Sequence, residues 1–117
     1  MGFVLDAILK KILFEDQVIN SSFISDPIQV SGVDQSYLVQ FDYFNGDGSI
    51  VANVALEASI DGVNYVPYTD GTIDITEDDG NFIWDVANSG ANFIRINCTV
   101  SAGEFTATCR FSGKRRH

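Results

Sequence analysis

Few side chains in this 117-residue sequence stand where chemistry would need them. The only histidine is His117, at the terminal position, where nothing rigid would hold an imidazole against a substrate or a metal. No G-x-S-x-G elbow, phosphate-cradling glycine loop or spaced set of metal ligands occurs. The sixteen Asp and Glu lack an acid, base or nucleophile at a telling spacing. Catalysis needs such convergent groups. The expectation is therefore no catalytic residue, no metal ligand, no cofactor and no enzymatic activity.

Three other constellations invite a chemical reading. The stretch DYFNGDGS, residues 42–49, has the outline of a calcium loop. Aligning Asn45, Asp47 and Gly48 to its third, fifth and sixth positions puts Tyr43 first and Val54 last, where acids are required. Turn chemistry accounts for it better, with a looser site at Asp47 or the Glu77-Asp78-Asp79 run as the alternative. Cys98 and Cys109 share inward parity on what should be neighbouring hairpin strands. A disulfide across such a pair is geometrically awkward and no export signal points to an oxidising compartment, so two buried free thiols are expected. Finally, Tyr65, Tyr68 and Trp84, with nearby Asp and Asn as hydroxyl acceptors, are the residue types of a carbohydrate site. Trp84 has the parity of a core residue, which favours packing over display.

The elements that would carry these residues are mostly strands. SYLVQFDYF puts Tyr37, Val39, Phe41 and Tyr43 on one face, and IVANVALEASI puts Val54, Leu56, Ala58 and Ile60 on one face. Phe82, Trp84 and Val86 alternate in NFIWDV. Ile94, Ile96, Cys98 and Val100 do so in NFIRINCTV, and Phe105, Ala107, Cys109 and Phe111 in EFTATCRF. Between them lie NGDG, Asp61-Gly62, Asp70-Gly71, EDDG, SGAN and SAGE, the residues that supply the positive φ of tight turns. In ASIDGVNYVPY, residues 58–68, Asp61-Gly62 turns the chain and Pro67 confines the returning strand to an edge or a strand end. The pattern predicts an all-β, antiparallel β-sandwich of six to eight strands, jelly-roll or Ig-like.

The N-terminal segment GFVLDAILKKILF reads differently. Leu5, Ile8, Leu9, Ile12 and Leu13 recur at helical spacing, which predicts a short amphipathic helix over residues 2–14. A helix that short is marginal alone in water, so Phe3, Leu5, Ile8, Leu9, Ile12 and Leu13 become candidates for an assembly interface. The expected organisation is a helical arm (1–16), a sandwich domain (17–113) and a basic tail (114–117) with Lys114, Arg115 and Arg116.

The formal net charge is -9, and between residues 12 and 109 a single base, Arg95, faces fifteen Asp and Glu. An acidic body repels phosphate backbones, which argues against nucleic acid as its partner. No stretch reaches the ~18 apolar residues of a membrane span. Asp6 interrupts the first apolar run, which does not fit an export signal, and it stands where a myristoylation start needs Ser or Thr.

The hairpin ASIDGVNYVPY followed by NFIRINCTVSAGEFTATCRFSGK resembles a recurrent pattern in small β-sandwich virion proteins of bacteriophages, over about residues 36–114. There a strand runs into a DG-x-N-aromatic hairpin, and a later FIRI-like strand precedes a SAG-type turn and a last strand ending in lysine. The resemblance implies a capsid, decoration, connector or tail component of the virion, assembled in the host cytoplasm. Its expected partners are its own copies, as a homo-oligomer, and other virion proteins. A carbohydrate-binding or adhesion module is the alternative.

Overall fold

The computed structural model describes residues 8–87 and 89–115. Its strands are β1 (Ile8–Ile19), β2 (Phe23–Ile24), β3 (Ile28–Gln29), β4 (Val33–Phe44), β5 (Val51–Ser59), β6 (Val66–Ile75), β7 (Gly80–Val86), β8 (Phe93–Ala102) and β9 (Phe105–Arg115). They form two antiparallel sheets. Sheet I has the order β1-β9-β4-β7; sheet II has the order β2-β8-β5-β6, with β3 also pairing β8.

This order settles the choice between the two expected sandwiches. If β2 and β3 count as one interrupted strand, the chain folds back on itself about the β5–β6 turn. First then pairs with last (β1·β9), second with second-last (β2/β3·β8), third with third-last (β4·β7), and the middle two with each other (β5·β6). A long antiparallel ribbon wound across two sheets in this way is the jelly roll. It is not the Ig arrangement.

The expected N-terminal helix is corrected. Residues 8–14 lie in β1, which pairs antiparallel with β9 from Ile8↔Lys114 to Ile19↔Phe105. Phe3 and Leu5 lie outside the described residues. Register shifts between Ile12 and Phe14, and between Phe14 and Gln17, explain the misleading pattern. A bulge inserts an extra residue and breaks the strict period of two. Leu13 and its neighbour Phe14 therefore both pack against the core, as Leu9 does, while Ile12 points out, half exposed at 53%. Leu9 and Leu13, four apart, share a face in a strand as in a helix, and the inward Leu13-Phe14 pair hides the alternation that would tell the two apart. The boundary expected at residues 16 and 17 falls inside β1, and Lys114 and Arg115, expected in a tail, end β9; Arg116 lies outside the described residues.

The core fills the space between the sheets. Sheet I contributes Tyr37, Val39, Phe41, Trp84, Phe105, Cys109 and Phe111; sheet II contributes Val54, Leu56, Ile75, Ile94, Ile96 and Cys98. Phe41 is its hub. It stacks on Phe82 at 5.2 Å and takes edge contacts from Phe14 at 6.0 Å and Trp84 at 6.3 Å. Cys98 and Cys109 are both free and buried, as expected, but the strands that carry them are not neighbours. β8 belongs to sheet II and β9 to sheet I, so consecutive strands cross the sandwich instead of forming a hairpin. Gly103 makes that crossing with φ +86°, and a Cβ there would lie 2.7 Å from the Cα of Ile50.

Candidate functional site

The hairpin of residues 58–68 is held together by its own turn chemistry. Asp61 accepts hydrogen bonds from the backbone N–H of Val63 and Asn64, the Asn64 amide and the Ser59 hydroxyl, all at 2.9 Å. These donors hold its carboxyl well below the usual carboxylate range. Gly62 supplies φ +77° and donates to Ser59 Oγ. Pro67 sits on β6, an edge strand of sheet II, where its missing N–H costs the sheet nothing.

The three aromatic candidates for a ligand site go to different places. Tyr65 lies on the outer side of sheet II under the Arg95 guanidinium, 3.9 Å above its ring centroid. Arg95 also pairs with Glu57 at 2.8 Å, and Asn97 donates to the same carboxylate, which leaves Glu57 only 7% exposed. Tyr68 turns to the other side, where its hydroxyl bonds those of Tyr37 and Ser89. Burial, the largest cause, drives the Tyr37 phenol far above its ordinary range. Trp84 is buried, and its indole N–H donates to the Gly71 carbonyl at 2.9 Å. Tyr68 and Trp84 both border an open cleft of about 1080 Å³ between β6 and β7. The Trp84 face is spent on packing, and the Tyr68 hydroxyl on a network within the protein. Tyr65 does not join them.

The acidic turns are similarly self-contained. Asp47 accepts from the N–H and hydroxyl of Ser49, and Asp78 accepts from the Gly48 N–H at 2.8 Å. Among the described residues no group of three or more His, Cys, Asp or Glu is placed to hold a metal ion.

What remains is the outer face of sheet I. The register aligns two rows across its four strands: Lys10, Ser112, Leu38, Asp85, and Ile12, Arg110, Gln40, Ile83. Ile12, Leu38 and Ile83 are 53%, 43% and 54% exposed, although strand faces turned to water ordinarily carry polar residues. They border a shallow groove of about 460 Å³ together with Lys10 and Arg110. Arg110 bonds Asp42 at 2.9 Å, and Gln40 donates to the same carboxylate. Of the candidate interface residues, only Ile12 is placed on this face among those whose side chains are described. Leu9 and Leu13 pack inward, and Ile8 pairs with Lys114. Sequence reasoning missed Leu38 and Ile83. Both break the alternation of their own strands by putting a large apolar side chain at an outward position, and that was the available signal.

No family model matches the chain, and no curated protein matches it in sequence. Its fold is similar to that of the SPBc2 prophage-derived protein YomS, at TM-score 0.62 and 10% identity, over 96% of this chain and 98% of that one. A chain of infectious bursal disease virus, Gx strain, matches at TM-score 0.60 and 6% identity, covering 94% of this chain and 32% of its own. A chain from the disulfide-linked pili of Bacillus endospore appendages matches at TM-score 0.51 and 13% identity, over 100% and 96% of the two chains. At these identities the likeness is one of fold.

Proposed function

We propose that this protein is a non-enzymatic structural component of a bacteriophage virion, capsid-associated, decorating or at the head–tail junction, held there by contacts with neighbouring subunits. The observation that carries the reading is the end-to-end fold likeness to a prophage-derived protein, in which almost the whole of each chain is the same sandwich. Jelly rolls serve viral capsids and lectins alike, so the fold alone does not choose between them. The surface favours the first. Among the apolar side chains left in water, Ile12, Leu38 and Ile83 lie together on the outer face of sheet I, as a protein contact requires. The aromatic side chains that would hold a sugar are packed, hydrogen-bonded or covered by arginine.

The acidic body fits contacts with protein better than with nucleic acid. The test is to purify particles from a host carrying the encoding genome and quantify this protein in them by mass spectrometry. The expected result is co-purification through a density gradient at fixed stoichiometry with other particle proteins. Absence from intact particles, or a saturable glycan affinity lost on Tyr68→Ala, would count against the reading.

A further inference from the structure

We propose that the outer face of sheet I is a two-fold interface between two copies of this chain, with the dyad running parallel to the strands. Such an axis exchanges β1 with β7 and β9 with β4 while keeping each row of the sheet opposite itself. In the first row, Lys10 then faces the partner's Asp85, and Ser112 faces the partner's Leu38. In the second, Ile12 faces the partner's Ile83 and Arg110 the partner's Gln40. Each cross-contact occurs twice, as an isologous interface demands. Arg110 brings its own counter-ion, Asp42, so it enters the contact already paired.

A dyad perpendicular to the strands does worse. It would exchange the two rows and set Lys10 over the partner's Ile12 and Asp85 over the partner's Ile83, removing water from a charge without supplying a partner. The arrangement of one cation and one anion at opposite edges of the row, with the uncharged Ser112 and Leu38 between, therefore chooses both the occupant and the axis. Two twisted sheets stacked this way cross at about 30° and lie ~10 Å apart, which accommodates side chains of this length.

Size sets the strength. Four strands ~4.8 Å apart, over a comparable length, give roughly 400 Å² per copy, about half of the ~800 Å² per partner in a standard stable complex. The dimer is accordingly weak in dilute solution and suited to a repeating assembly, where neighbours are already close. Its biological role rests on the virion reading above, but the face itself rests only on the register and exposure of these residues.

The experiment is sedimentation equilibrium of the full chain over a wide concentration range, for wild type, Lys10→Glu, Asp85→Lys and the double variant. All are surface changes, and circular dichroism confirms the fold of each. The expected result is concentration-dependent dimerisation, weakened roughly tenfold or more by either single reversal because two attractive pairs become repulsive. The double reversal restores it. Dimerisation insensitive to the single reversals, or not rescued by the double, overturns the proposed face and axis. A chain that stays monomeric throughout overturns self-association and leaves the face to a different protein. Particle mass spectrometry judges the virion reading separately, so either conclusion can fail while the other stands.

Discussion

Replacing Phe14 by alanine tests the assignment of residues 8–19 to a strand of the sandwich. If those residues formed an external helical arm, Phe14→Ala would leave the domain's stability untouched. In β1, Phe14 is half-buried, with its ring edge-on to Phe23 at 5.3 Å and Phe41 at 6.0 Å. A fully buried Phe→Ala change costs ~3–5 kcal/mol, and half burial scales that to about 2 kcal/mol. The lost edge contacts bring the total to about 2–3 kcal/mol. Val18, 51% exposed on the same strand, serves as control, with an expected change within about 0.5 kcal/mol on alanine substitution. Urea titration reads the effect as a midpoint lowered by ~1 M at unchanged slope. Deleting residues 1–16 removes Phe14, Leu9 and Leu13 together and exposes the edge of β9. That loss, roughly 5 kcal/mol, rivals the whole stability of a domain this size. The truncated chain should therefore be unfolded or aggregated. A Phe14→Ala protein as stable as wild type, or a truncation that unfolds cooperatively at the wild-type midpoint, would refute the strand assignment.

Trp84→Phe keeps most of the packing but leaves the Gly71 carbonyl without its donor, and should cost about 1–2 kcal/mol by urea titration; no change would mean that water takes over the bond. Gly103→Ala forces a side chain into a positive-φ turn against the backbone of Ile50, and should destabilise by ~1–3 kcal/mol. Stability should also fall in alkali. Burial raises the Cys98 thiol from an ordinary 9.0 to about 11 and pushes Cys109 higher, again chiefly by burial. The unfolded chain thus releases protons above pH 9 that the folded chain retains, so stability is full below pH 9 and declines as pH rises toward 11. The loss by pH 10.5 is on the order of 2 kcal/mol for each thiol. Chemical denaturation at pH 8 and pH 10.5 checks this, and the Cys98→Ala, Cys109→Ala double variant should flatten the decline.

The sandwich was legible because its strands keep their alternation where both faces have settled surroundings. Val39, Phe41, Val54, Leu56, Trp84, Ile94, Ile96, Phe105 and Phe111 all point inward as their parity predicts. Parity failed where the backbone departs from a regular strand. Ile60, read as an inward continuation of β5, is 76% exposed because the strand ends at Ser59 and the Asp61 turn begins. Glu57, at an outward position of β5 by its parity, is nevertheless buried by Arg95 and Asn97, partners that only the β5–β8 register brings beside it. The bulged β1 is the largest failure, since a spacing of four puts Leu9 and Leu13 on one face of a strand and of a helix alike, and the bulge that turns both Leu13 and Phe14 inward breaks the alternation that would have identified the strand. Local periodicity cannot separate the two; pairing with a strand nearly one hundred residues away can.

The candidate interface illustrates the same division between what a strand shows by itself and what a sheet creates. Ile12, Leu38 and Ile83 each look like single lapses in the polarity of an outward face. Isolated exposed apolar residues are common and need no explanation. They acquire meaning because the jelly-roll winding draws β1, β4 and β7, separated in the chain, into one sheet with β9, and the registers put Ile12 and Ile83 in one row with Leu38 in the next. The same registers place Lys10 and Asp85 at opposite edges of that sheet. Neither residue is informative in sequence, where the chain is dominated by acids and Asp85 is one among sixteen. Winding first pairs the ends of the chain and then sets the third strand against them. The outer face of sheet I is therefore composed of segments that no local reading would associate. Any surface through which such a fold assembles is, for that reason, a property of the topology.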